Sequence, residues 1–164
     1  MIDRAFLMDK LKEAGFDLPQ PEQLAERFDR YAELLVDWNQ KINLTAITAP
    51  DDIVIKHFVD SLLLLKAYDV PHGAKMIDVG TGAGFPSVPV AMVRGDIQLT
   101  LMDSLNKRIN FLTELSAELG VVPRVCMPAQ KSSAIRRSFG NSMMLPVPVR
   151  SLICGNCRST ACRL

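Results

Sequence analysis

The apolar positions of the first seventy residues recur at the spacing of amphipathic helices. This spacing predicts helices over 2–14, 23–38 and 51–68. The apolar stripe of the second helix comprises Leu24, Phe28, Tyr31, Leu35 and Trp38. We expect the aromatic side chains of this stripe to face a core. Residues 1–70 are therefore predicted to form a helical unit.

The pattern changes after residue 70, where two short apolar runs flank a glycine-rich turn. Lys75–Val79 predicts a buried strand, and glycines follow at 80, 82 and 84. Residues 97–102 predict a second strand. Residues 86–94 predict the crossover helix, with Ser87 as candidate N-cap and Pro89 in the first turn, where a missing N–H does no harm. Strand, glycine turn, helix and strand form one half of a doubly wound α/β sheet.

The glycine turn has the chemistry of a site for a nucleotide-like cofactor. Glycine accepts positive φ and lets a ligand approach the main chain closely. The dinucleotide fingerprint G-x-G-x-x-G does not fit, because its third glycine position is Phe85 here. The acidic Asp78 followed by G-x-G-x-G is typical of the first motif of S-adenosylmethionine-dependent methyltransferases. A glycine-rich turn that holds no cofactor is the alternative.

The second predicted strand ends in a carboxylate, Asp103, nineteen residues after Gly84. An open α/β sheet places the carboxylate that holds ribose hydroxyls at this point. The alternative is a solvated turn residue.

Residues 39–45, between the second and third helices, are polar and have no helical stripe. In the third helix Phe58 and Leu62 share the apolar side, and His57 and Asp60 lie near the polar side. No second histidine or cysteine lies at metal-ligand spacing from His57, so the sequence alone favours a hydrogen-bonded histidine over a metal ligand. By itself this region specifies no chemistry.

Composition agrees with one globular domain and adds a discontinuity. The chain has 164 residues, of which 48% are hydrophobic. No apolar run reaches the length of a membrane span, and the start of the chain lacks the regions of a signal peptide, so we expect a soluble, cytoplasmic protein.

Residues 1–120 carry all 18 acidic and 12 of the 19 basic residues, whereas 121–164 carry 7 basic and no acidic residue, and all four cysteines. This asymmetry needs an explanation.

Four motifs together resemble one family, the ribosomal RNA small subunit methyltransferase G family, formerly called glucose-inhibited division protein B. They lie in order, at the family's spacing, over residues 24–120. The motifs are Trp38-Asn39-Gln40-Lys41-Ile42-Asn43-Leu44-Thr45, His57-Phe58-Val59-Asp60-Ser61-Leu62, Asp78-Val79-Gly80-Thr81-Gly82-Ala83-Gly84-Phe85-Pro86, and Leu101-Met102-Asp103-Ser104 with Lys107-Arg108 and Phe111-Leu112. Ser87 stands where the family usually has glycine, and we expect it to tighten the loop.

The resemblance implies a Rossmann-like methyltransferase sheet with an N-terminal helical cap. It also implies transfer of a methyl group from S-adenosylmethionine to N7 of a guanine in 16S rRNA. The positions that would hold the cofactor are Asp78, Gly80, Thr81, Gly82, Ala83, Gly84, Phe85 and Asp103. The positions that would line the site beside the target base are Asn39, Asn43, His57 and Asp60. Guanine N7 needs no general base, so we assign no catalytic acid or base, and no metal ligand.

The implied partner is 16S rRNA or the small ribosomal subunit, because a guanine in folded rRNA must be made accessible. We expect a monomer with no membrane association. The cofactor-binding half would cover residues 71–120.

The family pattern stops after Gly120, and the codons suggest why. The family continues with an Arg-Ala-Glu motif, a strand ending in Asp, and an Arg-Ala pair. In the reading frame shifted back by one base, the codons of residues 126–131 must encode one Ala and can then encode Arg-Ala-Glu-Glu. In the same frame, the codons of residues 143–150 must encode an Asp and can then encode Arg-Ala. We therefore hypothesise a one-base frameshift near 121–125, which would make 121–164 a basic, cysteine-containing tail with its C-terminal strands truncated or non-native.

Two other interpretations of the tail remain. Cys154, Cys157 and Cys162 could form a zinc or redox site, although C-x-x-C without a second pair is a weak signal. The basic charge could bind RNA, although the aromatic residues that stack on bases are not interleaved with it. With two recognisable strands, the chain is predicted to be poorly stable and to have little or no methyltransferase activity, leaving at best a non-catalytic RNA- or metal-binding remnant.

Overall fold

A computed structural model describes residues 1–127 and the backbone of 151–154. The helices of these residues are α1 (Arg4–Glu13), α2 (Pro21–Asn39), α3 (Pro50–Ile53), a π-helical segment (Val54–Val59), α4 (Asp60–Ala67), α5 (Ser87–Val93) and α6 (Asn106–Glu118). The three helices predicted in the first seventy residues are confirmed. The third contains a feature that periodicity did not reveal, since its middle turn is π-helical.

The strands are β1 (Lys75–Val79), β2 (Gln98–Met102), β3 (Arg124–Cys126) and β4 (Ser151–Cys154). They form one sheet in the order β3-β2-β1-β4. The first three strands are parallel, and β4 runs antiparallel to β1. The fold is thus a mixed helix and parallel-sheet architecture of the Rossmann-like type.

The parallel sheet extends further along the chain than the sequence indicates. The apolar pattern predicts two parallel strands, but β3 adds a third, with Leu101 of β2 opposite Val125. At three residues, β3 is too short to show an apolar alternation. Parallel pairing therefore continues past Gly120.

The two crossover helices explain which face of the sheet is buried. Successive right-handed crossovers from β1 to β2 and from β2 to β3 place α5 and α6 on the same face. The β1 and β2 side chains of that face, Met76, Asp78, Leu99 and Leu101, are at most 4% exposed. On the other face Ile77 is half-buried and Val79 is 40% exposed.

Helix α2 is one of the connections between the helices of residues 1–70 and the sheet with its crossover helices. Tyr31 and Phe28 are fully buried in the common core, as the apolar stripe predicts. On the partly buried side of α2, the Arg27 guanidinium donates to the carbonyl of Leu119 at 2.6 and 3.0 Å and to that of Met92 at 3.4 Å. These carbonyls lie at the carboxyl ends of α6 and α5, where helix carbonyls lack partners within the helix. One helix thus holds both crossover helices.

In the described ranges, no helix combines the length and the apolar character that crossing a membrane would require.

Candidate functional site

The glycine loop, defined as residues 80–85, connects the carboxyl end of β1 to α5. Its three glycines have positive φ, at +76° for Gly80, +62° for Gly82 and +94° for Gly84. The amides of Gly80 and Thr81 both donate to the carbonyl of Met102, at 2.7 and 3.2 Å, so the loop is tied to the end of β2. It lies where open α/β sheets bind ligands, outside the carboxyl ends of their strands.

Two of these glycines face open space. A Cβ at Gly80 would meet no described atom within 4 Å, and one at Gly82 would meet only the Gly80 carbonyl oxygen, at 3.9 Å. A ligand can therefore approach the backbone here. Gly84 differs, because a Cβ there would lie 2.6 Å from the Tyr31 hydroxyl oxygen and 2.9 Å from Cγ2 of Val88. This glycine is required by packing as well as by its φ angle.

Asp103 lies directly against the glycine loop. It is 2% exposed, so the alternative of a solvated turn residue is wrong. Its Oδ2 accepts from the Gly82 amide and its Oδ1 from the Leu105 amide, each at 3.0 Å. The Arg108 guanidinium lies 3.5 Å from Oδ2. Because a carboxylate has about four lone-pair positions, Asp103 keeps acceptor capacity for hydroxyl groups.

Asp78 lies fully buried at the end of β1. Its Oδ2 accepts a hydrogen bond of 2.5 Å from the Ser87 hydroxyl. The predicted N-cap role of Ser87 is wrong, because Pro86 occupies the cap position and Ser87 is the first residue of α5. The hydroxyl instead binds the carboxylate that β1 brings beside it, and so links strand, loop and helix. Pro89 lies in the first turn of α5, as predicted.

Phe85, the last residue of the loop, lies between two rings. The Tyr31 ring is parallel to it within 4°, with centroids 5.1 Å apart, and the His57 ring within 5° at 4.3 Å. Offset stacking at such distances stabilises each pair by about 0.5–1.5 kcal/mol beyond area burial. The stack joins α2, the loop and the π-helical segment into one layer.

His57 is half-buried and has a hydrogen-bond partner, as its sequence context favours. Its Nε2 lies 2.9 Å from Oγ1 of Thr45, and that Oγ1 also accepts from the Ile47 amide. Since the hydroxyl accepts from the amide, its own proton is available to a neutral imidazole. Partial burial lowers the pKa of His57 below its usual value, and the Asp60 charge opposes part of this shift. π-Helical turns occur frequently at functional sites, which agrees with the position of His57.

The other proposed substrate-side residues have different surroundings. Oδ1 of Asn39 accepts from the amides of Leu44 and Thr45, at 2.8 and 3.0 Å, and so shapes the polar turn after α2. Through Thr45 this turn reaches His57. Asn43 and Asp60 are exposed. The structure thus connects Asn39 to His57 and leaves Asn43 and Asp60 at the surface.

Sequence reasoning misses two residues of this region. The apolar stripe assigns Tyr31 only to the core, but its hydroxyl donates to the Ala83 carbonyl of the loop at 2.7 Å. Thr45 lies in one of the family motifs without a predicted role, but its hydroxyl forms a hydrogen bond with His57. A tyrosine on an otherwise apolar stripe is a usable signal, because a buried hydroxyl needs a partner.

A metal site and a groove elsewhere in the described residues are the two alternatives to the glycine loop. In residues 1–127, no group of three or more His, Cys, Asp or Glu side chains could hold a metal ion. The zinc or redox interpretation of the cysteine motif and the RNA-binding interpretation of the basic tail fall largely outside the described residues. A groove of about 290 Å³ between the start of α2 and the end of α5 is lined partly by Gln20, Arg27 and Met92 and by no residue of the glycine loop.

Comparison with known proteins identifies one family. The sequence model of the family described as rRNA small subunit methyltransferase G matches residues 24–135. This match extends beyond Gly120, the residue after which the recognisable family motifs stop.

Curated relatives agree with this match. A protein named ribosomal RNA small subunit methyltransferase G from Desulforamulus reducens is 50% identical over 115 residues, which cover 70% of this chain and 47% of the relative. A relative of the same name from Streptococcus thermophilus is 51% identical over 112 residues, covering 68% and 46%. Another, from Clostridium perfringens, is 52% identical over 100 residues, covering 61% and 42%. The chain spans about half the length of the curated relatives it matches.

Proposed function

The chain belongs to the rRNA small subunit methyltransferase G family, and from that membership we propose that its glycine loop binds S-adenosylmethionine for methylation of guanine N7 in 16S rRNA. The small ribosomal subunit or its rRNA is the proposed partner. The observation that carries the proposal is the loop itself: three glycines at positive φ, closed by Asp103, at the carboxyl ends of two parallel strands.

The residues of this region fit such a cofactor. The space above Gly80 and Gly82 is open to a ligand, and Asp103 has acceptor capacity for ribose hydroxyls. Asp78 and the glycine loop would hold the methionine and ribose part. When bound, S-adenosylmethionine supplies an electrophilic methyl group on a sulfonium sulfur.

The task of the protein in this reaction is alignment. Guanine N7 has a lone pair and no proton at neutral pH, so it needs no general base. Holding nitrogen, methyl carbon and sulfur in line removes an entropic barrier of several kcal/mol, roughly 7–11 in favourable cases. On one side, the polar turn after α2 that Asn39 shapes would position the target base, together with His57 and Asp60. On the other side, the glycine loop would position the methyl donor. Asp60→Asn is accordingly expected to retain turnover.

The test is to titrate purified chain with S-adenosylmethionine by calorimetry and to measure transfer of labelled methyl groups to 16S rRNA in small subunits. Gly80→Val should abolish binding, because the side chain would fill the open space at a φ of +76°. Gly95→Val is the matched control, since Gly95 is exposed and its φ is not in the left-handed region. Equal binding by both variants would exclude the glycine loop as the site, and label at atoms other than guanine N7 would exclude the proposed reaction.

A further inference from the structure

Tyr31 lies within α2, in the helical unit, yet its side chain reaches the glycine loop 52 positions later in the chain. It is fully buried. Its hydroxyl donates to the Ala83 carbonyl at 2.7 Å, and its ring stacks on Phe85 at 5.1 Å. One side chain therefore contacts the loop on both sides of Gly84, through a peptide group and through a ring.

Gly84 makes this contact possible. A Cβ at this position would lie 2.6 Å from the Tyr31 hydroxyl oxygen, which is closer than two such atoms approach in proteins. The absence of a side chain at residue 84 thus admits the hydroxyl to the loop backbone. Burial, and to a lesser degree the Asp78 charge, raises the pKa of Tyr31 well above its ordinary value, so the hydroxyl keeps the proton that it donates.

We propose that Tyr31 is a positioning residue for the methyl-transfer site: it holds the Ala83 peptide and the Phe85 ring, and so sets the binding conformation of the glycine loop from the helical unit. The proposal rests on the proposed function, because Tyr31 acts through the loop. Its influence also reaches the substrate side, since the opposite face of Phe85 stacks on His57 at 4.3 Å. Displacing Phe85 would disturb both halves of the site.

Tyr31→Phe tests this directly, because it keeps the ring and removes the hydroxyl. Phe28→Leu is the control: Phe28 is equally buried on the same helix and packs on Phe58 at 4.7 Å. Amide hydrogen exchange of residues 82–85 is measured in both full-length variants without ligand. Tyr31→Phe should accelerate exchange of these amides by roughly 5- to 10-fold, as expected for loss of one hydrogen bond, while Phe28→Leu lowers the melting temperature without a selective effect on the loop.

Affinity for S-adenosylhomocysteine provides the second measurement. Tyr31→Phe should weaken binding by a similar factor, and Phe28→Leu should not. Unchanged loop exchange in Tyr31→Phe, or the same acceleration in both variants, would overturn the positioning role. If the unaltered chain does not bind S-adenosylhomocysteine, the proposed function fails, but the exchange comparison still decides whether Tyr31 orders the loop.

Discussion

The Asp103 carboxylate closes the glycine loop onto the end of β2 through Gly82. Its Oδ2 accepts from the Gly82 amide at 3.0 Å, while Oδ1 accepts from the Leu105 amide. One buried side chain thereby fixes a turn from the first strand and the segment after the second. Asp103 therefore lies beside the open space at Gly82.

Asp103→Asn should weaken cofactor binding at least about tenfold, since an amide cannot accept from both backbone donors and from a ribose hydroxyl. Calorimetric titration with S-adenosylhomocysteine measures this. Asp96→Asn is the control, because Asp96 pairs with Arg94 at 2.8 Å and accepts from the Gly73 amide, away from the loop. Wild-type affinity in Asp103→Asn would remove Asp103 from the site.

Gly84→Ala should lower the free energy of unfolding by more than the strain of positive φ alone. Gly120→Ala isolates that strain, because Gly120 has a φ of +61° and a Cβ there would have no described atom within 4 Å. We expect about 1–2 kcal/mol for Gly120→Ala and at least about 1 kcal/mol more for Gly84→Ala, where a Cβ would meet Tyr31 and Val88. Urea denaturation measures both values. Equal losses would mean that the Gly84 contact relaxes freely.

Ser87→Ala should destabilise the protein by about 1–3 kcal/mol, because it removes the hydroxyl that donates to the buried Asp78. Ser104→Ala, at an exposed position, should change the free energy of unfolding by less than about 0.5 kcal/mol. Thermal denaturation of the two variants provides the comparison. A neutral Ser87→Ala would show that the link between strand and helix contributes no stability.

Local pattern predicts the elements well and the long-range hydrogen bonds poorly. Strand β1 and the positive φ angles of the loop glycines follow from an apolar run and from glycine itself. Ser87 has the residue type of an N-cap, but its partner is a carboxylate nine positions earlier, which only the sheet brings near. Tyr31 has the spacing of a core residue and is one, yet its hydroxyl partner depends on the packing of α2 against the loop.

The stability contributed by His57 should fall as the pH drops below about 6.5. Burial lowers the pKa of His57 in the folded state, so the unfolded chain takes up a proton at a higher pH than the folded chain does. The free energy of unfolding therefore falls as the pH drops from the ordinary pKa to the lowered one. Thermal unfolding between pH 8 and 5 should depend more steeply on pH for wild type than for His57→Gln. Parallel curves for the two proteins would show that His57 titrates alike in both states.

The exposed face of the sheet bears on the reading-frame hypothesis. Parallel sheets are normally covered on both faces, but Val79 is 40% exposed and Ile77 is half-buried on the face opposite α5 and α6. The relatives that match this chain are longer, because the matched segments cover less than half of each. The frameshift hypothesis therefore predicts that segments read in the restored frame cover this face of the sheet.

Resequencing the coding DNA across codons 115–130 tests the frameshift, and a protein expressed in the restored frame tests its consequence. The restored protein should regain the Arg-Ala-Glu and Arg-Ala motifs and melt at a higher temperature. It should also bind S-adenosylmethionine at least about tenfold more tightly, because the cofactor binds the folded state and coverage of the sheet would stabilise that state. A confirmed frame would make the tail genuine. Cooperative unfolding with full cofactor affinity in the chain as written would show that its tail is compatible with the site and would contradict the frameshift hypothesis.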